Sequence, residues 1–140
     1  ACERVAQAAA RLGTQRAWVV RGNDGLDEIT LAEKTTVYEA TATGVRRFEI
    51  APEEFGLTRS SLDELRGGSA EENATLIRAI LGGDRTGAAL DLVLLNAATA
   101  LHLAGRAELL SDAVALARNT INTGQALAQL TALQAFSVQE

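Results

Sequence analysis

Two adjacent carboxylates, Asp27 and Glu28, lie in a short segment that also contains Gly22 and Gly25. Magnesium prefers oxygen ligands, and proteins usually hold it with one or two carboxylates together with the phosphates of a substrate. Glycine permits the backbone conformations that an irregular ligand-binding loop requires. The residue types and their spacing therefore suit a magnesium site at Asp27 and Glu28.

The acidic pair follows an apolar run at residues 16–20, which we interpret as a short buried strand. Ligands of open α/β sheets bind beyond the carboxyl ends of the strands, where this loop would lie. In a regular strand the two side chains would point to opposite faces, so both reach one ion only from irregular backbone. The alternative is that residues 23–25 form an ordinary hairpin turn, with Asp27 and Glu28 as solvated charges at the head of the next strand.

A helix is predicted before this strand and a hairpin after the loop. Apolar residues recur at helical spacing ahead of Gly13, which predicts a helix over residues 2–12. Helix and strand together resemble the second half of a β-α-β unit, whose first strand would precede Ala1. β-branched and aromatic residues are frequent over residues 29–50, around a turn at 43–44, and predict an antiparallel hairpin.

The C-terminal half is predicted to be helical. Ser69 and Glu72 fit a capping box at the start of a helix that ends at the glycine pair 82–83. Further helices are predicted at 88–103, at 108–122, and from residue 123 or 124 to about 136. The overall pattern indicates an α/β fold in one domain.

Composition excludes several functional classes. The 140 residues are 47% hydrophobic and 22% charged, which is typical of a folded globular protein. A net charge of -5 and an aromatic content of 4% argue against nucleic acid as a partner. The longest apolar stretch is too short to span a membrane. With no leader sequence and a single cysteine, Cys2, we expect a cytoplasmic protein.

The remaining polar candidates are assigned structural roles. Asn96 lies within an apolar helix, where a polar side chain must find hydrogen-bond partners. His102 is the only histidine and has apolar sequence neighbours, so we interpret it as a surface or packing residue. No catalytic triad or nucleophile can be assembled from the sequence. Arg46 and Arg47 are interpreted as solvated charges without a ligand.

Residues 19–29, VVRGNDGLDEI, closely resemble the acidic magnesium loop of the anthranilate phosphoribosyltransferases. These enzymes belong to a glycosyltransferase family that is related to nucleoside phosphorylases. The resemblance continues in register along the chain, with IAPEEFGL at 50–57, LRGG at 65–68, ENA at 72–74, ILGG at 80–83, LLNAA at 94–98 and INTGQAL at 121–127. Arg21 stands where the family usually has a histidine.

The resemblance implies a function for the complete enzyme. It would transfer the phosphoribosyl group of phosphoribosyl pyrophosphate (PRPP) to the amino group of anthranilate, releasing pyrophosphate, in tryptophan biosynthesis. Asp27 and Glu28 would be metal ligands, with Mg²⁺ as the cofactor. No residue of this chain is assigned as catalytic.

The resemblance covers only the C-terminal part of a family member. The family's N-terminal helical domain and glycine-rich pyrophosphate loop precede the matched region. Residues 1–140 would therefore be the C-terminal portion of the α/β domain, comprising part of a mostly parallel sheet, an antiparallel hairpin and a C-terminal helical cluster. We expect this chain to be inactive alone, to associate with a second chain that carries the N-terminal half, and to form a homodimer when complete.

Two other interpretations remain open at this stage. The chain could be a structural or metal-binding fragment without catalysis. It could instead belong to a related transferase or phosphorylase with a different acceptor, because the acceptor contacts of the family lie mostly before the matched region.

Overall fold

The helices and strands follow the order that the sequence predicts. The computed structural model describes residues 1–137. The regular elements are α1 (Cys2–Arg11), β1 (Arg16–Gly22), β2 (Thr35–Thr41), β3 (Gly44–Ile50), α2 (Ala70–Leu81), α3 (Ala88–Leu103), α4 (Leu110–Asn122) and α5 (Gln125–Ser137). Two 3-10 turns, Pro52–Phe55 and Leu62–Leu65, lie between β3 and α2.

The three strands form one antiparallel sheet in the order β1-β2-β3. Strands β2 and β3 form the predicted hairpin, with Ala42 and Thr43 as its turn. The prediction that the hairpin begins at residue 29 is wrong, because residues 23–34 form an irregular loop and β2 begins only at Thr35. The α/β class is confirmed, although no two strands within residues 1–137 make the parallel pairing implied for the wider domain.

The sheet is covered on both faces. Val20, Val37 and Phe48 are paired across the sheet and pack against the main hydrophobic core, in which Leu94 and Leu95 of α3 are fully buried. Helix α1 packs against all three strands on the opposite face. Strand β1 lies at the sheet edge with one neighbouring strand, so most of its residues are half-buried, not buried as predicted.

The helical cluster forms close to its predicted limits. The capping box of α2 is confirmed, because the Glu72 backbone N–H donates to Ser69 Oγ (3.2 Å) and the Ser69 N–H donates to Glu72 Oε2 (2.7 Å). Helix α3 spans the residues predicted for it and packs along α4. Within residues 1–137, none of the helices combines the length and hydrophobicity needed to cross a bilayer.

Candidate functional site

The acidic pair lies in the irregular loop between β1 and β2, which we call the acidic loop (residues 23–34). Asp27 and Glu28 are both exposed. Neither carboxylate forms an ion pair with any residue in the part of the chain that the structure describes. The two side chains are therefore open to an external cation.

A turn anchors the loop before the acidic pair. The Gly25 N–H donates to the Gly22 carbonyl (3.0 Å), so residues 23–25 form the turn of the alternative interpretation, but Asp27 and Glu28 lie in irregular backbone and not at the head of a strand. Asp24 holds this turn, since its Oδ1 accepts from the Leu26 N–H (3.0 Å) and its Oδ2 accepts from the Thr30 hydroxyl (2.5 Å). The Asp24 carboxylate is thus used within the protein, unlike those of its two acidic neighbours.

Glycine is required where β1 enters this turn. A Cβ at Gly22 would collide with the Asp24 carboxylate and would lie 3.0 Å from Thr30 Cγ2. Gly25 has a φ of +100°, a conformation that residues with side chains rarely adopt. The two glycines therefore allow the tight chain reversal that precedes Asp27.

A second anchor holds the backbone directly after the acidic pair. Asn96 of α3 accepts a hydrogen bond from the Ile29 N–H at its Oδ1 (3.2 Å) and donates from its Nδ2 to the Ile29 carbonyl (3.0 Å). Its Nδ2 also donates to the Leu92 carbonyl within the helix (3.1 Å). The structural role predicted for Asn96 is confirmed, and its partner is the acidic loop.

The far end of the loop is held by the segment that follows the first 3-10 turn. The Ser60 N–H donates to the Leu31 carbonyl (3.2 Å), and Arg59 Nη1 donates to the Ala32 carbonyl (3.4 Å). Arg59 is itself held by a hydrogen bond from its Nε to Glu53 Oε1 (2.8 Å). The acidic loop is therefore an ordered part of the fold, although it contains no regular secondary structure.

The donor set suits a hard cation with an incomplete protein shell. Residues 1–137 contain no group of three or more histidine, cysteine or acidic side chains arranged to hold a metal ion. Asp27 and Glu28 could thus supply carboxylate oxygens, while water and substrate oxygens would complete the shell. This is the usual arrangement for magnesium, and it does not suit ions that need a full cage of protein ligands.

The order of these elements and motifs matches a known family. Residues 1–127 match the family model described as glycosyl transferase family, a/b domain. The chain belongs to this family. Its α1, its three-stranded sheet, the acidic loop and helices α2 to α4 all lie within the matched residues of the glycosyl transferase domain.

Proteins similar to this domain include anthranilate phosphoribosyltransferases. The anthranilate phosphoribosyltransferase of Thermomicrobium roseum is 49% identical over 138 residues, which are 96% of this chain and 39% of that protein. The solved anthranilate phosphoribosyltransferase of Thermus thermophilus is 40% identical, with a TM-score of 0.83 over 94% of this chain and 38% of that one. The Saccharomyces cerevisiae enzyme, solved in complex with PRPP and Mg, is 28% identical with a TM-score of 0.83, over 93% of this chain and 38% of that one. The chain thus spans about two fifths of the length of the relatives it matches.

A charge cluster around the buried Glu39 of this glycosyl transferase domain, which we call the Glu39 cluster, was not predicted. Glu39 of β2 is only 4% exposed and pairs in register with Trp18 and Arg46. Its Oε1 accepts hydrogen bonds from Trp18 Nε1 (2.9 Å) and Arg16 Nε (2.9 Å), and its Oε2 accepts one from Arg46 Nε. Burial raises the pKa of Glu39, but the hydrogen bonds from Trp18, Arg46 and Arg16 outweigh it and lower the pKa from 4.5 to about 2. Arg46 is exposed, as predicted for a solvated charge, with 69% of its side chain accessible, but its pairing with Glu39 was not predicted.

The packing role predicted for His102 is confirmed. Its Nε2 accepts a hydrogen bond from Arg16 Nη2 (3.0 Å), and its Nδ1 donates to the Ala107 carbonyl (3.1 Å). A guanidinium can only donate and a carbonyl can only accept, so a neutral ring with its proton on Nδ1 satisfies both contacts. The ring also lies 5.7 Å from the Trp18 ring, measured between centroids. His102 thus supports the Glu39 cluster of the glycosyl transferase domain.

Proposed function

We propose that this chain supplies the acidic magnesium loop of an anthranilate phosphoribosyltransferase. The complete enzyme transfers the phosphoribosyl group of PRPP to the amino group of anthranilate and releases pyrophosphate. The observation that carries the proposal is the acidic pair: two exposed carboxylates that pair with no cation among residues 1–137, in a loop anchored on both sides. Similarity to enzymes of that name over almost the whole chain supports it.

In this proposal, Asp27 and Glu28 hold Mg²⁺ against the phosphate groups of PRPP. When bound, the ion offsets the negative charge that develops on departing pyrophosphate. The two carboxylates supply charge and position, and the chain needs no covalent nucleophile for this role. Asp24 is assigned the role of shaping the loop, because both of its oxygens accept hydrogen bonds from the loop itself.

The proposal assigns residues 1–140 to the C-terminal portion of the α/β domain, with the PRPP pyrophosphate loop and the acceptor contacts supplied by the N-terminal half. That half belongs either to a second chain or to the same polypeptide in a longer protein. The complete enzyme would be a cytoplasmic homodimer. The chain alone would then be inactive, because an acidic pair holds magnesium weakly without substrate phosphate.

The direct test joins this chain to the N-terminal portion of the Thermomicrobium roseum relative, in place of the 138-residue region that it matches. This hybrid enzyme should release pyrophosphate from PRPP only when anthranilate and Mg²⁺ are both present. The double variant Asp27→Asn/Glu28→Gln should lower kcat/KM at fixed Mg²⁺ by about 100-fold or more, since a bound metal contributes several kcal/mol to such reactions. Activity unchanged by the double variant would exclude the metal role.

A matched control lies in the same loop. Glu33 is also exposed, but it pairs with Arg59 (3.4 Å). Glu33→Gln removes one negative charge from the acidic loop and leaves Asp27 and Glu28 in place, so the Mg²⁺ dependence should not change. An equal loss in Glu33→Gln would mean that overall loop charge, not a specific pair, supports activity.

The chain alone gives a second test. Purified chain should show no anthranilate-dependent pyrophosphate release, and measurable release would contradict the assignment of the missing functions to the N-terminal half. Native followed by denaturing mass spectrometry would show whether another polypeptide copurifies. A hybrid that stays inactive while correctly folded would favour a non-catalytic fragment, and activity with another acceptor would favour a related transferase or phosphorylase.

A further inference from the structure

Asn96 uses both of its N–H donors and its oxygen on one point of the acidic loop and its own helix. A side-chain amide offers two N–H donors and one oxygen that can accept two hydrogen bonds. Here the oxygen accepts from the Ile29 N–H, while the two donors reach the Ile29 carbonyl and the Leu92 carbonyl. A flipped amide would oppose donor to donor and acceptor to acceptor, so only one orientation satisfies all three contacts.

This contact controls the backbone of Glu28. A peptide unit is planar and contains the Cα atoms of both residues that it joins. By holding the Ile29 N–H, Asn96 holds the peptide plane that also contains the Glu28 Cα. On the other side of the pair, Asp24 holds the Leu26 N–H. The backbone that bears the acidic pair is therefore fixed both before and after it.

Thr99 shows that α3 does not need the loop to satisfy its polar side chains. It lies one turn after Asn96, is 6% exposed, and donates its hydroxyl to the Leu95 carbonyl of the same helix (3.1 Å). Asn96 also donates within its helix, yet two of its three contacts go to a residue 67 positions away in the sequence. The long-range contacts thus serve the loop.

We propose that Asn96 is a positioning residue for the metal site, one that holds the Glu28–Ile29 peptide so that Asp27 and Glu28 are presented together to Mg²⁺. This inference rests on the proposed metal role of the acidic pair. It assigns Asn96 no contact with substrate or metal. Its action is to keep the two carboxylates in a geometry that a free loop would adopt only part of the time.

The first readout needs no metal and no catalysis. Amide hydrogen exchange in the 140-residue chain should show a protected Ile29 N–H, and Asn96→Ala should speed its exchange by about tenfold or more. Thr99→Val, which removes a buried hydroxyl from the same helix, should leave Ile29 exchange unchanged. If Asn96→Ala does not fold, Asn96→Leu gives the same test, because it keeps approximately the size of the side chain but loses the oxygen that accepts from the Ile29 N–H. Unchanged Ile29 exchange in a folded variant would overturn the proposal.

The second readout is the Mg²⁺ concentration that gives half-maximal activity in the hybrid enzyme. Substitution of residues that orient metal ligands typically costs 10- to 100-fold in metal affinity, so Asn96→Ala should raise this concentration by about that factor. The KM for anthranilate should stay within about twofold, and Thr99→Val should change neither value. Faster exchange at Ile29 with an unchanged Mg²⁺ requirement would overturn the positioning role and leave Asn96 as a fold-stabilising residue.

The two proposals fail in different ways. If Asp27→Asn/Glu28→Gln does not alter the Mg²⁺ requirement, the metal role of the pair is wrong, and so is positioning by Asn96. If the double variant abolishes activity while Asn96→Ala leaves the Mg²⁺ requirement unchanged, only the inference about Asn96 is wrong.

Discussion

The Glu39 cluster makes stability depend on pH in a defined direction. The pKa of Glu39 is about 2 in the folded chain against a usual value of 4.5, so its charged form stabilises the fold by about 3 kcal/mol near neutral pH. Because the folded pKa is the lower one, this contribution is fully present above about pH 4.5 and is lost as the pH falls toward 2. Glutamine has the shape of the protonated acid. Glu39→Gln should therefore lower the free energy of unfolding by about 3 kcal/mol near pH 7 and by less than half of that near pH 3.

Urea unfolding of both proteins at the two pH values measures this difference. Glu49→Gln is the matched control, because Glu49 lies on the adjacent strand β3, is exposed, and has its pKa lowered chiefly by a hydrogen bond from Asn23. Its replacement should change stability less than Glu39→Gln does. An equal loss of stability at both pH values in Glu39→Gln would refute the argument, since it would show that the glutamine disturbs packing and not charge.

Three further substitutions test the loop and a helix start. Gly22→Ala should lower the free energy of unfolding in urea by about 1–3 kcal/mol, because the alanine Cβ would collide with the Asp24 carboxylate. This loss should be smaller in an Asp24→Ala background, and an equal loss in both backgrounds would contradict the collision. Ser69→Ala should lower the free energy of unfolding by about 1 kcal/mol, because the N-terminal cap of α2 is lost. An unchanged urea midpoint would contradict this role of Ser69. Asp27→Asn/Glu28→Gln should leave the urea midpoint unchanged, because both side chains are exposed, whereas a clear shift would assign them a structural role.

Local patterns in the sequence were enough to predict the helices. The capping box at Ser69 and the apolar run of α3 act within one element, so their consequences do not depend on distant residues. The turn before the acidic pair follows the same logic, because Asp24 and Gly25 act on neighbouring backbone. These features could therefore be located from residue type and spacing alone.

Contacts between distant residues could not be predicted in this way. Side chains alternate between the two faces of a strand, so Glu39 can be placed on the same face as Val37 from the sequence. Only the strand register shows that Arg16 and Arg46 contact Glu39. The polar character of Asn96 indicated that it needs a partner, yet no spacing rule identifies Ile29. The prediction that a strand starts at residue 29 is wrong for a related reason. Hydrogen bonds from distant residues such as Asn96 hold residues 23–34 outside the sheet, although Ile29 and Leu31 are apolar.

Residues of this chain anchor the acidic loop. Asp24 within the loop, Arg59 and Ser60 after the first 3-10 turn, and Asn96 of α3 supply hydrogen bonds that shape it. In the proposed function, the geometry of the metal ligands is thus set by the same part of the protein that bears them, whereas the pyrophosphate loop and the acceptor contacts are assigned to the N-terminal half. Substitutions at the anchors should therefore change the Mg²⁺ requirement without changing the choice of acceptor, and substitutions at the acceptor contacts in the N-terminal half should do the reverse.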